Sequence, residues 1–104
     1  MASPQKENGY TALSNEIVEK LAKYRISGEE WQILLVVLRK TYGWQKTEDC
    51  ISLSQFVDMT GLKRSNVVRS IHKLVSKKIL GSINNDTTYI TKYWFIKDYD
   101  NWKA

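Results

Sequence analysis

One cysteine, one histidine and one proline in 104 residues leave most kinds of chemistry without material. Cys50 has no second cysteine to close an internal disulfide, and no neighbouring Cys or His at ligand spacing for a metal. His72 stands alone and the acids do not cluster, so no catalytic group assembles from the sequence. Neither an enzyme nor a cofactor is expected. The longest apolar run, Ile33-Leu34-Leu35-Val36-Val37-Leu38, falls far short of the roughly 20 residues of a membrane span. No Lys/Arg-led apolar segment opens the chain, so a cytosolic protein without a secretory signal is expected. The one proline lies within residues 1–9, a polar stretch read as a flexible tail.

What remains is an ordinary globular composition, 42% hydrophobic and 26% charged, which argues against disorder. At this length it makes one domain, placed at residues 10–102. The net charge of +5 is unevenly spread. Residues 1–52 balance Lys/Arg against Asp/Glu, and the whole excess falls in residues 53–104. Residues 63–78 hold Lys63, Arg64, Arg69, Lys73, Lys77 and Lys78 with no acid among them. A basic stripe on one element is the footprint of a polyanion binder. It is also what a solvated helix face looks like, so position has to decide.

Hydrophobic spacing predicts four helices and then a change of period. Ser14 or Asn15 caps a first helix with Ile17, Val18, Leu21, Ala22 and Tyr24 inward. Ser27 and Glu30 have capping-box spacing and open a second, about residues 28–42, carrying Trp31, Leu34, Leu35 and Leu38. Val36 and Val37 widen its apolar band, so it is the expected central helix, ended by Gly43. Residues 45–50 read as a loop, with Ile51 pairing briefly as a strand. Ser52 and Gln55 repeat the capping box before a short helix with Phe56, Val57 and Met59 inward. Gly61 makes a tight turn, plugged by Leu62, and a fourth helix of about residues 64–77 repeats Val67, Val68, Ile71, Leu74 and Val75. After Lys78 the period becomes 2. Residues 79–83 and 87–96 read as strands of a hairpin turning at Asn84, Asn85 and Asp86. Residues 97–102 dock as a loop through Tyr99 and Trp102.

This order gives a mostly α fold with a small β-hairpin, a winged helix-turn-helix, in which the fourth helix offers its outer side to a DNA major groove. At 100° per residue, Asn66, Arg69 and Lys73 lie opposite the apolar arc, flanked by Ser65, Ser70 and Lys77. Asn and Arg pair bidentately with adenine and guanine edges. Lys63, Arg64, Lys73, Lys77 and the helix's first N–H groups suit phosphates. Tyr89, Tyr93, Trp94 and Phe95 alternate as core-facing strand residues more simply than as a base-stacking platform. Trp31 and Trp44 are assigned to core packing, Cys50 to a small apolar position, and His72 to the flank of the basic face.

Asn15-Glu16, Arg39-Lys40-Thr41-Tyr42-Gly43-Trp44, Ile51-Ser52-Leu53-Ser54-Gln55, Thr60-Gly61-Leu62 and the closing Lys97-Asp98-Tyr99-Asp100 with Trp102 carry a resemblance. Over about residues 10–102 the chain resembles the N-terminal domain of the phage replication protein O family. The resemblance implies sequence-specific binding of double-stranded DNA at a phage or prophage replication origin, as a homodimer, in the cytoplasm of a bacterial host. It also implies that a separate C-terminal region, expected to begin where this chain stops, recruits the replicative helicase or its loader. Lys63-Arg64-Ser65 stands where that pattern leads one to expect a small residue and often a proline. Two other readings of the residues remain open: a transcriptional regulator of the same fold, and a protein-interaction module docking through its aromatic tail.

Overall fold

Serine begins each of the first three helices. Ser14 accepts a hydrogen bond from the Ile17 N–H and opens α1 (Asn15–Lys23). Ser27 opens α2 (Gly28–Thr41), its hydroxyl accepting from Glu30 N–H while the Glu30 carboxylate accepts from Ser27 N–H. Ser52 and Gln55 close the same reciprocal pair at the start of α3 (Leu53–Thr60). Each box satisfies two backbone donors that the first turn would otherwise leave without partners. These positions come from a computed structural model that describes residues 2–5, 9–84 and 91–103.

Among the described residues, α4 (Arg64–Ser76) follows α3, and the strands β1 (Glu48–Ile51), β2 (Leu80–Asn84) and β3 (Thr91–Phe95) form an antiparallel sheet in the order β1-β3-β2. The fold is therefore mostly helical with a small three-stranded sheet. The expected loop at 45–50 is half strand, because β3 supplies a pairing edge for Glu48, Asp49 and Cys50 from far along the chain. Residues 85–88 and Tyr89, read as the hairpin tip and the start of its second strand, lie outside the described residues. At Gly81, paired with Trp94, a Cβ would stand 2.1 Å from Trp94 Cε2, so the indole lies where a side chain would be.

Helix α2 is central: Ile33, Leu34 and Val37 are fully buried against Phe56 of α3, Val67 and Leu74 of α4, and Ile79 and Leu80. Phe56 meets Tyr93 of β3 edge to face at 5.4 Å. Several residues expected inside face out instead. Val18 and Ala22 are exposed because α1 is short and buries a single i, i+4 stripe, Ile17 and Leu21. Leu35 and Met59 are exposed on the outer sides of α2 and α3. Trp44 is 61% exposed, its ring 5.2 Å from the Arg39 guanidinium rather than in the core. Helix α2 ends at Thr41, not Gly43; a 3₁₀ turn (Tyr42–Trp44) follows, and Gln45 takes the left-handed conformation at φ 56°. No helix of the described residues is long and apolar enough to cross a membrane.

Candidate nucleic-acid interface

Helices α3 and α4 are joined through Gly61, Leu62 and Lys63. Gly61 caps α3 at φ 75°, a left-handed conformation that costs a residue with a Cβ about 1–2 kcal/mol. Its N–H donates to Val57 O, and Leu62 N–H donates to the Thr60 hydroxyl. The chain thus turns sharply and half-buries Leu62 under the corner. Unlike the three serine-capped helices, α4 starts at Lys63 with no side-chain cap. Its first-turn N–H groups are left for solvent or an anion, beside the exposed Lys63 and Arg64.

Packing gives α4 four distinct sides. Val67, Ile71 and Leu74 enter the core. Ser65, Arg69, Lys73 and Ser76 face outward and are exposed, with His72 beside them. Val68, His72 and Val75 border grooves toward the sheet, walled by Ser52, Asn84 and Thr91, with Tyr93 beneath. Burial pushes the Tyr93 phenol above its ordinary pKa, an effect that a bond with Thr91 partly offsets. The remaining side carries Asn66 and Ser70, and Lys77, the residue that caps the end of α4, borders the outward groove while its ammonium donates to Glu30 at the start of α2.

The expected binding residues are therefore unequally placed. Ser65, Arg69 and Lys73 line one open groove with Val68, His72, Ser76 and Lys77, whereas Lys63 and Arg64 are exposed at the start of the helix and Asn66 is half-buried. Ser70, expected at the flank of that surface, is buried. Lys77, expected toward phosphates, has its ammonium 2.7 Å from Glu30 Oε1 and 3.1 Å from the Arg25 carbonyl. Sequence amphipathicity centred the buried arc on Ile71. The observed arc lies further toward Ser70, which is buried with Val67, Ile71 and Leu74, and Lys77 finds its counter-charge in Glu30. Val68 and Val75 are correspondingly only half-buried, along the sheet-side grooves. Ser76 was overlooked on the outward surface; its i+7 and i+11 spacing from Arg69 and Ser65 is the signal that could have found it.

Glu30 is nearly inaccessible, yet its pKa is lowered. Burial opposes ionisation, and the bonds from Lys77 and from the Ser27 hydroxyl and N–H, with the Lys77 charge, outweigh it. Arg69 is differently held: Nη2 donates to Asn66 Oδ1 at 2.6 Å and lies 3.9 Å from Glu29 Oε1. Among the described residues no group of three or more His, Cys, Asp or Glu could hold a metal ion.

Comparison with known proteins agrees in one direction. The chain is 37% identical over 75 residues to "Replication protein 15" of Enterobacteria phage phi80, covering 72% of this chain and 25% of that protein. It is 40% identical over 62 residues to "Replication protein O" of Escherichia phage lambda, covering 58% and 19%. With "DNA replication protein gp18" of Salmonella phage P22 it shares 27% identity over 77 residues, covering 74% and 28%. The chain thus spans about a quarter of the length of the curated relatives it matches. No solved structure matches it. The family model for bacteriophage replication protein O matches residues 3–102, and on that match the chain belongs to the bacteriophage replication protein O family.

Proposed function

We propose that this chain is a winged helix-turn-helix domain that binds duplex DNA by sequence at a phage or prophage replication origin. In this reading α4 enters the major groove and β2 with β3 forms the wing against the flanking backbone. The observation that carries it is the outward side of α4. Arg69 and Lys73 stand exposed there, behind Lys63, Arg64 and an uncapped helix start, and the helix itself carries no acid. The groove, about 12 Å wide, admits a helix presented in this way. Arg69 reads a guanine edge; Asn66, bonded to it, orients the guanidinium and shares the base step. Lys63, Arg64, Ser65 and Lys73 hold phosphates, so affinity falls steeply with salt. The event is equilibrium recognition without a covalent step. Family membership supports the replication role, and a homodimer on DNA belongs to the same proposal. So does recruitment of a helicase or its loader by parts of the relatives that this chain does not match.

Fluorescence anisotropy with duplexes tiling the source phage origin, against a random duplex at two salt concentrations, tests this. One origin segment should bind best. Arg69→Ala should cost about 1–3 kcal/mol on that segment and much less on random DNA. A preferred site at a promoter with none at the origin would make the protein a transcriptional regulator. Absence of duplex binding even at low salt would leave a protein-interaction module. The aromatic tail expected to dock a partner is not free to do so, because Trp102 is buried and Tyr99 packs on the core. Docking would fall to exposed residues such as Leu35, Trp44 and Met59.

A further inference from the structure

We infer that Glu29 determines specificity, by holding Arg69 away from phosphates so that random DNA is bound less well. The inference rests on the DNA reading given above. Two consecutive acids, Glu29 and Glu30, occupy the first turn of α2, where the helix's own dipole favours negative charge. Each faces one cation, Arg69 of α4 for Glu29 and Lys77 at the end of α4 for Glu30. The two pairs differ in kind. Glu30 is enclosed and bonded on both oxygens, whereas Glu29 and Arg69 keep 40% and 59% of their side chains exposed at a separation of 3.9 Å. An exposed pair of this sort is weak and exchanges readily for another partner.

What Arg69 can exchange for is the point. Its guanidinium carries five N–H donors, and Asn66 and Glu29 lie on the Nη2 side, which leaves the others unspent. A guanine edge is uncharged and accepts two of those donors without disturbing Glu29. A phosphate drawn to the same guanidinium brings a negative charge close to the Glu29 carboxylate, and the two anions repel. With Glu30 taken by Lys77 and residues 63–78 free of acids, Glu29 is, among the described residues, the carboxylate paired with Arg69 and so placed to discriminate in this way. Its charge lowers phosphate-driven binding while leaving base recognition intact.

The test is titration of a random-sequence duplex across a salt series with wild type, Glu29→Gln, Arg69→Ala and the double variant. Glu29→Gln should tighten binding about two- to fivefold at low salt, the size of one exposed ion pair. The slope of log affinity against log salt should steepen by about one, the signature of one more phosphate contact. Both effects should vanish in the Arg69→Ala background. Unchanged affinity and slope in Glu29→Gln, or an equal gain without Arg69, would overturn the inference while leaving DNA binding standing. Failure of wild type and Glu29→Gln alike to bind any duplex would instead overturn the DNA reading, and this inference with it.

Discussion

Glu30 joins three local decisions in one carboxylate: it completes the capping box of α2, it receives Lys77 from α4, and it stays ionised while 2% exposed. Its partners are spent on it in turn, since the Lys77 ammonium reaches only Glu30 and the Arg25 carbonyl among its described contacts. Removing the lysine leaves a buried carboxylate with only Ser27 to answer it. Lys77→Ala should therefore destabilise the fold by about 2–3 kcal/mol at neutral pH, below the roughly 3–5 of a fully enclosed pair because the lysine keeps some water. The sign with pH follows from the lowered pKa of Glu30. Its contribution is complete above the ordinary carboxylate value of 4.5 and is lost as pH falls through the depressed folded value. Urea midpoints should separate wild type from Lys77→Ala widely near neutrality and converge in acid. A gap that stays constant into acid would mean that the lysine acts through its methylenes alone.

At the scale of elements, what the sequence revealed was what lies within one turn of itself. Ser27 with Glu30 and Ser52 with Gln55 are three residues apart, and both helix starts were legible for that reason. The left-handed turn at Gly61 was legible on the same local grounds. The rotation of α4 was not, because it goes with a buried serine, Ser70, and with an ion pair between Lys77 and distant Glu30, and neither enters a count of apolar spacing. Strand β1 was half hidden for a similar reason: Glu48 and Asp49 have poor strand propensity, and only pairing with Trp94 and Tyr93 recruits them. The β2–β3 pairing carries its own test. Because the Trp94 ring occupies the place of a Gly81 side chain, Gly81→Ala must displace an indole or part the strands. A cost of about 1–3 kcal/mol is expected, with a fall in melting temperature of about 4–8 °C per kcal/mol. In a Trp94→Ala background the same substitution should cost little, and equal costs in both backgrounds would rule out the clash as their source.

For the molecule as a whole, α4 is stable either by itself or only as part of a closed unit, and Trp102 decides which. The indole is 5% exposed, and Nε1 donates to the Ile96 carbonyl at 2.7 Å. Its ring meets Tyr24, Phe95 and Tyr99 edge on at 5.2, 5.7 and 6.2 Å. Its carbonyl accepts from the Tyr24 hydroxyl beyond α1, and the next residue, Lys103, donates its N–H to Lys77 O at the end of α4. Trp102 and Lys103 together thus tie the end of α1, the last strand and the foot of α4. Truncating a tryptophan so enclosed costs about 3–5 kcal/mol, against a total stability of about 5–15 for a domain this size. Trp102→Ala should lower the urea midpoint sharply. If the chain is one cooperative unit, the slope of the transition will be unchanged, because the same surface is exposed when everything unfolds together. A lowered slope, or an early loss of α1 before α3 and α4, would show that α3 and α4 stand without this clasp. On the proposed DNA reading, affinity should then survive the substitution, whereas a single cooperative unit loses affinity in step with its folded fraction.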